Sequence, residues 1–198
     1  MSLEAKHISF RYRKKGTVLE NVSLTVEPGE RVGLAGPSGR GKTTLCKLLA
    51  GYQRPAKGQV LLDGRPLGEY RGLCPVQMIW QHPETAVDPL LRLKDSVHEA
   101  GPVDQALLDD LHIQPGWLER YPAELSGGEL QRFCIARALA PEVKYLLCDE
   151  VTAMLDPITQ AQIWNVLLEA AQARQLGLLI VSHDSALLER LCTRIQPL

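Results

Sequence analysis

The chain has 198 residues, of which 45% are hydrophobic and 23% charged, and its formal net charge is −1. This composition is ordinary for a soluble globular protein, and the near-neutral charge gives no reason to expect general affinity for nucleic acid. No apolar run approaches the roughly 20 residues of a membrane-spanning helix, and the N-terminus lacks the apolar core of a secretion signal. The five cysteines are scattered, which favours reduced thiols in a cytosolic protein over disulfides or metal ligation.

Alternating apolar residues in the N-terminal part predict a small antiparallel sheet. Residues 8–12 alternate apolar with polar side chains, and residues 22–26 do so again. The basic cluster at 13–16 between them predicts a solvated turn. A third candidate strand, 59–62, ends at Asp63-Gly64, a strong hairpin-turn signal.

Residues 36–43 fit the phosphate-binding pattern G-x-x-x-x-G-K-[ST] at every fixed position. The apolar run at 31–35 predicts a buried strand before the pattern, and leucines at helical spacing predict a helix over 43–50. Glycines let successive backbone N–H groups turn toward one anion, and the helix N-terminus adds the positive end of its dipole. Lys42 is expected to reach the β- and γ-phosphates, and the Thr43 hydroxyl to ligate Mg²⁺. The pattern predicts a nucleoside-triphosphate site.

The rest of the chain predicts a helical insertion followed by regular α/β order. From about residue 83 to residue 122, short helical patches alternate with proline and glycine, which predicts a helical insertion without a large core of its own. Helices are then predicted over 128–139, from 157 onward and from an Asp184 cap to 191, and strands over 145–148 and 178–181. Strands that alternate with helices predict a parallel sheet with helices on its faces.

The strand at 145–148 runs into two carboxylates, Asp149 and Glu150. In a parallel sheet the carboxyl ends of the strands face the ligand crevice. Asp149 is therefore expected to hold Mg²⁺, usually through water, and Glu150 to orient and deprotonate the water that attacks the γ-phosphate. Two acids at a strand end are often ordinary surface residues, but their combination with the phosphate loop favours the catalytic interpretation.

A second candidate anion site lies at 125–129, Leu-Ser-Gly-Gly-Glu. A serine and two glycines that open a helix expose several N–H groups. The same residues also fit a simple capping box, with Ser126 as N-cap and Glu129 three residues later. One triphosphate does not obviously need two such sites from one chain, so a second subunit would explain the second site.

Together these motifs resemble those of the nucleotide-binding domain of ABC transporter ATPases, over nearly the whole chain. They follow the family's order: Walker A at 36–43, the Q-loop glutamine Gln81, the signature at 125–129, Walker B at 146–150, the D-loop at 154–156 and the switch histidine His183. The resemblance implies an α/β fold of the P-loop NTPase (RecA-like) class, with a parallel sheet, an N-terminal antiparallel β subdomain and a helical insertion subdomain. We expect a single domain over 1–198, with a core at 1–82 and 141–198 and the helical subdomain at 83–140.

The resemblance also implies ATP and Mg²⁺ as ligands and a role for each matching residue. Catalytic roles are expected for Lys42, Gln81, Glu150 and His183, and Mg²⁺ ligation for Thr43, Gln81 and Asp149. The expected nucleotide-binding residues are Tyr12, Gly36, Pro37, Ser38, Gly39, Arg40, Gly41, Lys42, Thr43, Thr44, Ser126, Gly127 and Gly128. Tyr12 would stack on the adenine, although a plain edge-strand tyrosine is the alternative. Arg40 departs from the family, which has a small residue there.

The family implies a head-to-tail dimer with two ATP molecules at the interface. Each would be held by the phosphate loop of one chain and by Ser126-Gly127-Gly128 of the other. The helical region would face integral membrane permease subunits on separate chains, with a solute-binding protein as an indirect partner and no nucleic acid. The expected location is the cytoplasmic face of the membrane, where the protein would be peripheral.

Residues 78–83 and 151–156 look like the dipeptide, oligopeptide and nickel importer branch, although Val151 stands where many members have proline. The leading interpretation is the ATP-hydrolysing subunit of an importer for a peptide, nickel or a metal chelate. A soluble ABC-type ATPase acting on DNA or ribosomes is the first alternative, but such proteins carry long coiled-coil insertions or two tandem cassettes. A non-catalytic nucleotide-binding regulator is the second, and the presence of Glu150 and His183 argues against it. A P-loop small-molecule kinase would lack residues 125–129.

Overall fold

The computed structural model describes residues 2–13 and 16–198, so Lys14 and Lys15 of the predicted basic turn lie outside the described residues. Within this part of the chain there are nine strands and six α-helices. The strands are β1 (Leu3–Tyr12), β2 (Gly16–Val26), β3 (Arg31–Ala35), β4 (Lys57–Leu62), β5 (Arg65–Pro66), β6 (Val76–Ile79), β7 (Tyr145–Asp149), β8 (Gly177–Val181) and β9 (Arg194–Pro197). The helices are α1 (Lys42–Leu49), α2 (Leu93–His98), α3 (Gln105–Asp110), α4 (Gly127–Ala138), α5 (Pro157–Arg174) and α6 (Ser185–Leu191).

The N-terminal sheet is antiparallel, with strand order β2-β1-β4-β5. The predicted turn at Asp63-Gly64 joins β4 to β5, and both residues have the positive φ, 54° and 78°, that a tight hairpin needs. β1 carries a bulge at His7, where φ is 50° and the register with both neighbours shifts. Gly58 passes close to this bulge, since a Cβ there would lie 2.3 Å from the Lys6 carbonyl oxygen.

The second sheet is parallel, with strand order β6-β7-β8-β3-β9. Side chains alternate between its faces, as the two-residue period of a strand requires. On β7, Tyr145 and Leu147 join the cluster that includes α1 and the antiparallel sheet, whereas Leu146 and Cys148 join the cluster that includes α4 and α5. Both faces are thus covered, and the predicted α/β class with a parallel sheet and a separate antiparallel sheet is confirmed.

The segment between β6 and β7 is helical, as predicted, and contains α2, α3 and α4. Its apolar residues, such as Val97 on α2, Leu108 on α3 and Phe133 on α4, pack in the same buried cluster as one face of the parallel sheet. The segment therefore has no core separate from the sheet. The domain boundaries at 82/83 and 140/141 stay a prediction.

Arg174, the last residue of α5, ties α5 to the end of α4. Its guanidinium donates to the carbonyl oxygens of Leu139 (2.7 Å), Ala140 (2.8 Å), Pro141 (3.0 Å) and Val143 (2.9 Å). Leu139 is the C-cap of α4, and the other three carbonyls lie in the loop between α4 and β7, so Arg174 holds this loop against α5. In the described part of the chain no helix combines the length and apolar character of a membrane span.

Candidate functional site

The phosphate loop runs from the carboxyl end of β3 to the first residue of α1. Gly39 and Gly41 adopt positive φ, 80° and 97°, and Gly41 is the N-cap of α1. Such backbone turns bring successive N–H groups to one side of the loop. Lys42 folds back over it, because its ammonium donates to the carbonyl oxygens of Gly36 (2.6 Å) and Pro37 (3.1 Å). The positive charge of Lys42 therefore lies at the loop, where an anion would bind.

A cleft of about 730 Å³ opens over this loop. It is lined by Tyr12, Arg13, Val18, Ser38, Gly39, Gly41, Lys42, Thr43, Thr44, Gln81, Glu150 and His183. Most of the predicted site residues thus share one cleft between the two sheets. Gly36, Pro37 and Arg40 belong to the loop but do not line the cleft, and Arg40 is exposed.

Two lining residues, Arg13 and Val18, were missed by the sequence analysis. Arg13 belongs to the basic cluster that we interpreted as a solvated turn, and it lines the cleft. Its position directly after Tyr12 is the signal that could have identified it. Val18 on β2 contributes apolar surface from the antiparallel sheet.

Tyr12 lines the cleft and also ties β1 to α1. Its hydroxyl lies 3.4 Å from the Thr44 hydroxyl and accepts from the Gln53 amide nitrogen at 3.3 Å. Its ring packs edge-on against Phe10, with ring centroids 4.9 Å apart. These contacts fix the orientation of the ring, and adenine stacking stays a prediction.

Asp149, at the end of β7, is almost completely buried, with 2% of its surface exposed. Burial raises the pKa of its carboxyl group, and a hydrogen bond with Thr43 partly opposes that shift. Its Oδ1 atom is buried and has no hydrogen-bond partner within residues 2–13 and 16–198. A buried carboxylate oxygen without a donor, next to a threonine hydroxyl, fits a hard divalent cation such as Mg²⁺. The residues present are therefore suited to the metal that the family implies.

Glu150 lies between Gln81 and His183. Its Oε1 is 2.6 Å from His183 Nε2, and its Oε2 accepts from Gln81 Nε2 at 3.2 Å. The backbone of Glu150 has a φ of 51°, which is strained for a residue other than glycine. Strained backbone of this kind is often found at functional sites. Its N–H donates to Val181 O at 3.1 Å, which holds the turn against β8. Three residues predicted to be catalytic thus form one hydrogen-bonded cluster.

Ser126, the first polar residue of the predicted signature, is exposed at the start of α4. Its hydroxyl and its backbone N–H both donate to the Glu129 carboxylate at 2.8 Å, so the capping-box interpretation is correct. Those hydrogen bonds, the backbone one first, lower the pKa of Glu129. Ser126 and Gly128 line a second cleft of about 590 Å³, together with the predicted D-loop residues Met154 and Leu155.

The comparisons with known proteins agree on one family. Residues 19–153 match the model of the ABC transporter family. The nickel import system ATP-binding protein NikE of Staphylococcus aureus (strain bovine RF122 / ET3-1) is 36% identical over 206 residues, covering 98% of this chain and 84% of that protein. The NikE protein of Staphylococcus aureus strain MSSA476 is 35% identical, and the match again covers 98% of this chain and 84% of that protein.

Solved structures give the same result. An ATP-binding subunit of an ABC transporter superposes with a TM-score of 0.87 and 26% identity, covering 100% of this chain and 86% of that one. A dimeric ATP-binding cassette bound to ADP and Pi shares the fold, with a TM-score of 0.84 and 24% identity over 99% of this chain and 94% of that one. The chain belongs to the ABC transporter family, as one of its ATP-hydrolysing nucleotide-binding domains.

Proposed function

We propose that this chain powers an importer for a small solute, and that two cassettes act as a head-to-tail dimer docked on separate membrane permease subunits. Nickel is the leading solute, because the NikE proteins that match nearly the full chain are nickel import subunits by name. Peptides and metal chelates are the other solutes of the class predicted from the sequence. The protein would then lie at the cytoplasmic face of the membrane.

One observation supports the dimer most strongly: the two phosphate-binding elements line different clefts. None of the described residues that line the cleft at Lys42 also lines the cleft at Ser126. We therefore expect a triphosphate bound at Lys42 to lie out of reach of Ser126 of the same chain. The Ser126 cleft is open to solvent, and Met154 beside it is 69% exposed. A second chain in reverse orientation would complete both clefts at once.

We assign Mg²⁺ to the Thr43 hydroxyl, the Asp149 carboxylate and the Gln81 amide oxygen. All three are oxygen ligands, which Mg²⁺ prefers. When bound, the ion would neutralise charge on the β- and γ-phosphates.

The chain's own residues would then act at three points of the reaction. Lys42 and the N–H groups at the start of α1 would stabilise negative charge on the phosphates, in a cleft where water is displaced. Glu150 would take the proton from the attacking water. Gln81 and His183, which contact opposite oxygens of Glu150, would fix the orientation of that carboxylate. Docking of the partner's Ser126 cleft would exclude solvent from the bound ATP. Hydrolysis of the ATP would then let the two chains separate.

The helical segment offers an apolar surface for a permease. Leu90 is 83% exposed, and Leu91 and Tyr121 are exposed as well. Exposed apolar side chains clustered on one segment are typical of protein–protein contacts. Co-purification of the chain with a permease from membranes tests this part of the proposal, and loss of the complex in a Leu90→Asp variant would support it.

The Glu150→Gln variant tests the dimer. Glutamine keeps the size of Glu150 but cannot accept the proton, so ATP should bind without being hydrolysed and the closed dimer should accumulate. Sedimentation velocity with ATP and Mg²⁺ should show a dimer for Glu150→Gln and a monomer for the double variant that also carries Lys42→Ala. If Glu150→Gln stays monomeric at saturating ATP and high protein concentration, the head-to-tail proposal is wrong.

A further inference from the structure

Helix α4 is tied to the segment that carries Gln81 by three side-chain-to-backbone hydrogen bonds, which we call the α4 ladder. Its bonds run from Gln131 Nε2 to Trp80 O (3.2 Å), from Cys134 Sγ to Pro83 O (3.7 Å) and from Arg137 Nη2 to Ala86 O. Both the donors and the acceptors follow each other at intervals of three residues. Residues three apart share one face of a helix, so the segment runs alongside a single face of α4.

Gln131 is buried, and its acceptor in the ladder is the carbonyl oxygen of Trp80, the residue before Gln81. It is 2% exposed, and its Oε1 atom has no hydrogen-bond partner among the described residues. A buried amide costs free energy unless its polar atoms are paired, so an apolar side chain would suit this position better if packing alone mattered. The bond to Trp80 O is therefore the contact that distinguishes Gln131 from a core residue.

This bond connects the two halves of the proposed composite site. Gln131 follows Ser126 by little more than one helical turn, and Trp80 directly precedes Gln81. Gln81 in turn donates to Glu150 Oε2 at 3.2 Å. A displacement of the Ser126 end of α4 would therefore reach the carboxylate of Glu150 through contacts that are already formed.

We propose that Gln131 is a positioning residue, which aligns Gln81 against Glu150 when a partner's nucleotide engages the Ser126 end of α4. The inference rests on the proposed function, since it requires ATP hydrolysis at a composite site. Gln131 itself lies outside the lining of both clefts and touches no reacting atom in this assignment.

Steady-state ATP hydrolysis by the full chain at high protein concentration tests this role. Gln131→Met keeps the length of the side chain but removes the donor, and its kcat should fall about tenfold, the factor that ~1.4 kcal/mol of transition-state stabilisation represents. Its KM for ATP should stay within about twofold, because Lys42 and the phosphate loop keep their own contacts. An unchanged kcat would overturn the proposal.

Gln131→Glu adds a readout that a purely structural role would not give. A carboxylate cannot donate to Trp80 O, whereas a protonated carboxyl group can, and burial raises the pKa of an introduced acid. The activity of Gln131→Glu relative to the wild type should therefore rise as the pH falls from 8.5 to 6. A flat ratio in that range would contradict the role of the donor.

Ile135→Val is the matched control, because Ile135 is a fully buried residue of the same helix outside the ladder. It should lower the melting temperature while leaving kcat unchanged at 25 °C. If Ile135→Val loses as much kcat as Gln131→Met, the effect is loss of packing and the proposal fails. If the wild type shows no Glu150-dependent hydrolysis, the proposed function itself fails, so the two failures are distinguishable.

Discussion

Two glycines of the phosphate loop allow steric contact to be separated from backbone strain. Gly39 and Gly41 both have positive φ, 80° and 97°. A Cβ at Gly41 would lie 2.8 Å from Leu19 Cδ2 and 2.9 Å from Val18 Cγ1, whereas a Cβ at Gly39 would meet no atom of the described residues within 4 Å. Gly41→Ala thus tests whether Val18 and Leu19 of the antiparallel sheet leave no room for a side chain in the loop. Gly39→Ala is the control, because it adds the backbone strain without these contacts.

The expected costs follow from these contacts. An alanine in the left-handed region lowers the free energy of unfolding by ~1–2 kcal/mol through backbone strain. The unfolded chain has less conformational entropy with alanine than with glycine, which raises the free energy of unfolding by ~0.4–1 kcal/mol. Gly39→Ala should therefore lower the free energy of unfolding by about 1 kcal/mol. Gly41→Ala adds an overpacking cost of ~1–3 kcal/mol, which brings its total to about 3 kcal/mol.

Urea denaturation followed by circular dichroism measures both values. In a chain of this size, 1 kcal/mol corresponds to about 2–4 °C in melting temperature, so Gly41→Ala should melt about 6–12 °C below the wild type. Gly41→Ala should also bind ATP more weakly than Gly39→Ala, since relief of the contact moves the N-cap of α1. If both variants lose the same free energy of unfolding, Val18 and Leu19 do not restrict the space at Gly41, and the reasoning is refuted.

Three further predictions concern side chains that are buried or that hold several backbone groups. Arg174→Met should destabilise the chain by about 3 kcal/mol in urea titrations, because four carbonyl oxygens lose a charged donor, and an effect below ~1 kcal/mol would contradict that anchoring role. Trp164→Phe removes the buried 3.1 Å hydrogen bond to the Thr152 hydroxyl and should lower the free energy of unfolding by ~1–3 kcal/mol. The double variant Trp164→Phe/Thr152→Val should lose less free energy of unfolding than the two single variants add up to, because neither partner is then left unpaired. Asp149→Asn should unfold at higher urea than the wild type at pH 7, with an advantage that shrinks as the pH falls toward 4.

The sign of the last prediction follows from the raised pKa of Asp149. Between the ordinary pKa of an aspartic acid, about 3.9, and the raised value, the folded chain binds more protons than the unfolded chain. Stability contributed by this group therefore falls as the pH rises through that window and stays low above it. A pH-independent difference between Asp149→Asn and the wild type would show that burial does not penalise the charge.

Much of the parallel sheet was predictable because uninterrupted apolar runs mark strands that are buried on both faces. The strands β3, β7 and β8 match the predictions to within one residue, and Asp184 caps α6 as expected. The strand β6 was missed because it has only four residues, and β9 because it contains arginine, glutamine and proline and lies exposed at the sheet edge. Such short or polar strands form through pairing with neighbours, which periodicity does not report.

The site was predictable where its chemistry lies in contiguous motifs, as at Lys42, Thr43 and Asp149. What the sequence does not show is how distant residues meet. Gln81 and His183 contact opposite oxygens of Glu150 only because the ends of β6, β7 and β8 are adjacent in the sheet. The left-handed backbone of Glu150 and the α4 ladder also depend on this packing, so no local pattern indicates them.

Complementation between two inactive variants tests the composite site most directly. Lys42→Ala disables the phosphate loop, and Ser126→Arg blocks the cleft at the start of α4, so each variant alone should hydrolyse almost no ATP. Mixed in equal amounts, the two should form some heterodimers in which one composite site has an intact Lys42 from one chain and an intact Ser126 from the other. ATP hydrolysis should therefore reappear on mixing, at up to about a quarter of the wild-type rate if pairing is random and the sites are independent. A mixture as inactive as its components, under conditions where the wild type is active, would contradict a site shared between two chains.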